Sequence, residues 1–177
     1  YNYGAEIELI ATPAANYHFV SWSDGNTEST RTITVSSAVN LVASFAIDTY
    51  NVSVTAGTGG SVNSVNGTYD YGESVELIAT PSANYHFVSW SDGSTESTRT
   101  ITVTSAVNLV ASFAIDTYSV SVTSGAGGSV NSVSDTYDYG SSVELIATPA
   151  ANYHFVSWSD GNTESTRTIT VTSNVSL

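Results

Sequence analysis

Val107-Asn108-Leu109-Val110-Ala111-Ser112-Phe113-Ala114-Ile115-Asp116-Thr117-Tyr118-Ser119-Val120-Ser121-Val122 is the stretch on which the fold turns. From Val107 to Ile115 the inward apolar residues fall on odd positions, the period-two signature of a half-buried strand. From Tyr118 to Val122 they fall on even positions. A shift of one residue turns a strand's faces over, so no single strand runs through Asp116-Thr117. That pair is read as a boundary between two units, and Asp48-Thr49 is its copy 68 residues earlier.

The 68-residue step holds along the whole chain. Tyr1-Asn2-Tyr3-Gly4 returns as Tyr69-Asp70-Tyr71-Gly72 and as Tyr137-Asp138-Tyr139-Gly140, and Trp22, Trp90 and Trp158 keep the same interval. Residues 1–41 match 69–109 at 34 of 41 positions, and 42–68 match 110–136 at 22 of 27. A period of this size means tandem units. With the boundaries set by the change of phase, the pieces are 1–48, without two opening strands; 49–116, a complete unit; and 117–177, without its last strand. The chain reads as a window of a longer array.

Within the complete unit the alternation recurs at Tyr50, Val52 and Val54, at Val75, Leu77 and Ala79, and at Ile101 and Val103. These runs are rich in Thr, Val, Tyr and Ile, which suit a pleated surface. Gly57-Thr58-Gly59-Gly60, Asn66-Gly67, Tyr71-Gly72, Pro81 and Asp92-Gly93 stand between them as turn chemistry. Six strands are expected, over 50–55, 61–65, 74–80, 85–90, 98–104 and 107–115. The fold class is all-β: a tandem array of small β-sandwich or β-grasp-like modules, beads on a rod. A two-residue joint is short and restricts the angle between beads, each adding roughly 30 Å of length given its expected radius of gyration.

Three basic against 16 acidic residues give a net charge of −13. Such a surface repels nucleic acid, whose phosphates need clustered Lys and Arg. No apolar run is long enough to span a membrane. With no cysteine, disulfides, thiolate metal sites and thiol catalysis are excluded. The only bases are Arg31, Arg99 and Arg167, so a lysine isopeptide staple is excluded as well. Each small unit must stand on its core and its neighbours.

The complete unit reads Tyr50-x-Val52-x-Val54, Gly59-Gly60-Ser61-Val62, Tyr69-x-Tyr71-Gly72, Val75-x-Leu77-x-Ala79-Thr80-Pro81, Tyr85-x-Phe87-x-x-Trp90, Ile101-x-Val103-Thr104, then Ala111-x-Phe113. This order resembles the divergent B-repeat family of bacterial surface proteins, related to internalin B-repeats and the Listeria–Bacteroides repeat. The resemblance covers the chain three times over. It implies small β-rich modules in stalks of secreted or surface-anchored proteins, with no catalytic residues to carry over. Asn84, before Tyr85, departs from the glycine frequent in the family, though Asn also tolerates positive φ.

Several residues invite a sharper reading. Trp90, Tyr85 and Phe87 could form a sugar platform, but a bead this small needs its tryptophan in the core. His86, with copies His18 and His154, has no second His or Cys near it for a metal, and catalysis would require Ser89 or Asp92 within reach. Asp92 and Glu96 in Ser91-Asp92-Gly93-Ser94-Thr95-Glu96 lack the alternating acids of a calcium loop, and Asp-Gly is first a turn. In Tyr69-Asp70-Tyr71-Gly72 the charge is not kept, since Asn2 replaces Asp70 in the first copy. Arg99 and its copies are expected to pair with Glu96, Glu76 or a carboxylate of a neighbouring bead. Asn51, Asn66 and Asn174 open glycosylation-type sequons that read as chance matches, Asn51 and Asn66 giving way to Ser119 and Ser134 in the next copy. Gly57-Thr58-Gly59-Gly60 lacks the Lys of a phosphate loop and reads as a hairpin turn.

No catalytic, cofactor-binding or metal-binding residues are therefore assigned, and no enzyme is expected. The expected function is a non-catalytic spacer in an extracellular or cell-surface stalk or fibre, with neighbouring copies of the repeat as partners. Two alternatives stand beside it: a self-assembling filament subunit with inter-chain strand complementation, and a glycan-binding module.

Overall fold

The computed structural model describes residues 1–177 and contains strands but no helix. In the first repeat these are β1 (Glu6–Ile10), β2 (Tyr17–Trp22), β3 (Thr30–Thr34) and β4 (Ala43–Ile47). The second holds β5 (Thr49–Ala56), β6 (Gly60–Val62), β7 (Gly67–Asp70), β8 (Ser74–Pro81), β9 (Tyr85–Trp90), β10 (Thr98–Thr102) and β11 (Val107–Ile115). The third holds β12 (Thr117–Ser121), β13 (Gly128–Val130), β14 (Asp135–Asp138), β15 (Ser142–Pro149), β16 (Thr166–Thr170) and β17 (Val175–Ser176).

The complete repeat makes two sheets, in the orders β10-β8-β6 and β7-β5-β11-β9. It has seven strands rather than the six expected. The additional strand is β7, where Tyr69 stands opposite Tyr50 and Gly67 opposite Val52. Gly67 therefore opens a strand instead of closing a tight turn with Asn66. The expected strand 61–65 stops at Val62 because the Asn63 side chain takes over. Its Oδ1 accepts from the Ile78 N–H (2.9 Å), and its Nδ2–H donates to the Glu76 carbonyl (2.8 Å). A side-chain amide substitutes for the backbone ladder and turns the chain away.

The change of phase is visible as burial. On β11, Leu109 and Ala111 are buried; on β12 it is Val120. A β-bulge between Ser112 and Phe113 lets Phe113 face Phe87 across the β11–β9 pair. The two rings meet edge to face at 5.8 Å.

In compactness the chain divides into two units. One comprises Tyr1–Thr55, Val62–Ile78 and Glu96–Val110; the other comprises Ala56–Ser61, Ala79–Thr95 and Ala111–Leu177. In the first unit, β1 pairs with β3 and β2 with β4, both antiparallel. In the second, sheets β14-β12-β17 and β13-β15-β16 face each other across a core of Val120, Val122, Val143, Leu145, Trp158 and Val171. This is a β-sandwich built from the inward half of each alternating strand. Here the first and last strands run parallel, Val120 opposite Val175.

Candidate functional site at the repeat joints

Asp48 and Asp116 are the single residues between consecutive strands at the two joints, β4–β5 and β11–β12. Each is wired on both sides. The Asp116 N–H donates to the Asn84 carbonyl behind it (2.8 Å), and its carbonyl accepts from the Tyr139 N–H ahead (2.8 Å). Asp48 makes the same two bonds, to Asn16 and from Tyr71, each at 2.8 Å. Beyond the joint, Thr117 stands opposite Asp138 and Thr49 opposite Asp70, so pairing resumes at the next residue. Tyr118 and Tyr139 pack at 6.4 Å, as do Tyr50 and Tyr71.

The carboxylates close the arrangement. His86 Nδ1 lies 2.9 Å from Asp116 Oδ1, and His18 Nδ1 3.0 Å from Asp48 Oδ1. A carboxylate only accepts, so Nδ1 carries the proton in this contact. The histidine side chains are more than half exposed, and such a pair contributes ~0–1 kcal/mol. The backbone bonds, not the His–Asp contacts, carry the joint. Asp48 with all its partners lies within one compact unit, and Asp116 with all of its partners within the other.

Asn84 explains why its carbonyl is available. Its φ is 63°, and its copies Asn16 and Asn152 have 63° and 64°. This left-handed turn, which Asn tolerates better than other side-chain-bearing residues, is the setting in which its C=O meets the joint aspartate. The departure from glycine noted in the sequence is thus accommodated. The role of Asp48 and Asp116 was missed in the sequence reading. The available signal was an aspartate at the phase change with a histidine 30 residues before it in both copies.

The other candidates fall elsewhere. Trp90 is 1% exposed and belongs to the core; Tyr85 and Phe87 are half-buried. Tyr85 lies over Gly59 so closely that a Cβ there would come within 2.2 Å of the ring, and a Cβ on Gly60 would meet Phe113 at 2.4 Å. The glycine-rich turn is bare because two aromatic rings occupy the space of its side chains.

Arg31 and Arg167 depart from the sequence expectation. Arg31, on β3, pairs with Asp24 (2.7 Å) and Arg167, on β16, with Asp160 (2.6 Å), each aspartate seven residues back in the preceding turn, and not with the counterparts of Glu96 or Glu76. Trp22 Nε1–H donates to the Glu28 carbonyl across the same loop (2.9 Å), which brings the arginine back over the Asp-Gly turn. Asp24 and Asp160 are held below the usual carboxylate range, first by the arginine hydrogen bond and next by the N–H of Asn26 or Asn162. Asp92, Glu96 and Arg99 of the central repeat are engaged too.

Two of the three sequon asparagines have structural tasks. Asn66 Oδ1 accepts from the Val54 N–H (2.6 Å), and Ser134 Oγ does so for Val122 (2.9 Å). Asn174 Oδ1 accepts from the Ser119 N–H (2.9 Å), while Asn51 is exposed on β5.

Comparison with known proteins gives one family. The divergent InlB B-repeat domain matches residues 1–49, 50–117 and 118–177. No curated protein and no solved structure matches the chain.

Proposed function

Because the chain belongs to the divergent InlB B-repeat domain family, we propose that it is a non-catalytic spacer in the stalk or fibre of a bacterial surface protein. Its modules are 1–48, 49–116 and 117–177, and its partners are neighbouring copies of the same repeat. The supporting observation is the joint: a single aspartate whose N–H is tied to one repeat and whose carbonyl is tied to the next, at both Asp48 and Asp116. A linker satisfied on both sides has little backbone freedom, so repeats add length in a set direction instead of coiling as a flexible linker does. The net charge of −13 favours solubility and keeps neighbouring stalks apart. The family's usual setting on bacterial surface proteins supports an extracellular, cell-surface location.

Small-angle scattering of the 177-residue chain tests the reading. A stiff, extended profile is expected; a Gaussian-like profile would refute it. The glycan-binding alternative lacks an aromatic platform in the complete repeat, where Trp90 is buried and the other rings are half-buried.

A further inference from the structure

We infer that the complete repeat is built to bear tension along the stalk, with the seam between its first and last strands as the clamp that resists unfolding. This deepens the spacer reading and rests on it for the source of the load. Pull on a stalk enters a repeat at its two joints. Here those are Asp48, directly before β5, and Asp116, directly after β11. β5 and β11 are neighbours in the sheet β7-β5-β11-β9. The third repeat gives their direction. β12 and β17 pair in parallel, Thr123 N–H donates to the Leu177 carbonyl (2.9 Å), and Leu177 N–H donates to the Ser121 carbonyl (3.0 Å). Thr123 and Leu177 are the counterparts of Thr55 and Leu109. In the complete repeat Gly57 N–H donates to the Ala111 carbonyl (2.8 Å), two residues further along both strands. A ladder that advances in the same sense on both strands is parallel.

Parallel neighbours place the start of β5 and the end of β11 at opposite ends of the seam. Tension between the joints therefore slides one strand along the other, and the bonds of the seam resist together. Antiparallel neighbours would bring both joints to one end, where the bonds open one at a time. The seam is also sheltered. It lies inside the sheet, with β7 on one side and β9 on the other. Val52 and Val54 on β5 are 0% and 2% exposed, and Leu109 and Ala111 on β11 are 6% and 0% exposed. A hydrogen bond kept from water is harder to break than one that water replaces at once. Gly57 leaves room for its own bond, since a Cβ there would meet the Ala111 carbonyl oxygen at 3.2 Å.

Pulling the same folded chain in two directions tests the clamp. The natural chain has no cysteine, so pairs of exposed residues can be replaced to hold the handles of an optical trap. Thr49→Cys with Thr117→Cys loads the seam along its length. Thr49→Cys with Ser105→Cys, just before β11, pulls both strands from the same end. All three positions are exposed, so the substitutions leave stability nearly unchanged and direction alone separates the two pairs. The force that unfolds the complete repeat, which follows the unfolding barrier, should be at least roughly twofold higher for the first pair than for the second. A smaller ratio would overturn the clamp and leave the spacer reading standing. A Gaussian-like scattering profile, by contrast, would sink the spacer reading and leave the ratio as expected.

Discussion

Tyr85-His86-Phe87-Val88-Ser89-Trp90 and residues 153–158 have the same sequence, and only the first is a strand. The difference lies in what stands beside them. Residues 85–90 pair with β11, as residues 17–22 pair with β4. Residues 153–158 have no such partner in sheet β13-β15-β16 or β14-β12-β17. Tyr153 is accordingly 62% exposed, while Tyr85 is half-buried. The pair 39–42 and 107–110 repeats the lesson with another strand. Local propensity in these repeats is permissive, and pairing decides.

The largest effect expected from breaking this comparison is in the core. Leu77→Ala should cost about 2–5 kcal/mol, because Leu77 is fully buried. Leu9→Ala, the same change in the half-buried copy, should cost distinctly less, which urea unfolding would show as a smaller shift in midpoint. Equal shifts would contradict the difference in burial between the two leucines.

The glycine turn comes next. Gly59→Ala meets both a φ of +94° and the Tyr85 ring, whereas Gly72→Ala meets a φ of +85° with open space around it. The first should cost roughly 2 kcal/mol or more, and the second about 1. Thermal melts of the two variants check the order.

Hydrogen exchange sharpens the comparison without any substitution. Amides of 153–158 should exchange faster than those of 85–90, and 39–42 faster than 107–110, since the unpaired copies open locally. Matching rates within either pair would contradict the pairing argument.

The smallest effect concerns the exposed Asp–Arg loops. The Asp24 and Asp160 carboxyls are depressed below 3.8. A depressed folded-state value stabilises above the unfolded value and is lost as pH falls through the folded one. The stability difference between the natural chain and the Asp24→Asn, Asp160→Asn variant should thus be small at neutral pH and vanish as pH falls below 3.8. A difference that grows on acidification would contradict the assigned pairing.

The alternation of Val107–Ile115 against Tyr118–Val122 was enough to read the all-β class and the change of face, because burial on a half-covered strand follows a period of two. The strand Gly67–Asp70 was not legible. Gly67 and Asp70 look like turn residues, and only their alignment with β5 makes them a strand. The partners of Arg31 and Arg167 were hidden for a similar reason. The chain between Trp22 and Arg31 folds back through a side-chain bond to the Glu28 carbonyl, and spacing alone does not encode that. The joint was half legible: its position followed from phase, but its bonds depend on a left-handed asparagine 32 residues away.

The distance distribution across one joint tests the spacer account most directly. The chain has no cysteine, so Thr32→Cys and Thr100→Cys, both exposed and in equivalent places of adjacent repeats, can carry a single pair of spin labels. Pulsed electron resonance should give one narrow peak. Adding Asp48→Pro, which deletes the N–H bonded to Asn16, should broaden it, while Asp48→Ala, which removes only the contact with His18, should leave it narrow. A broad distribution in the otherwise natural chain would contradict the account.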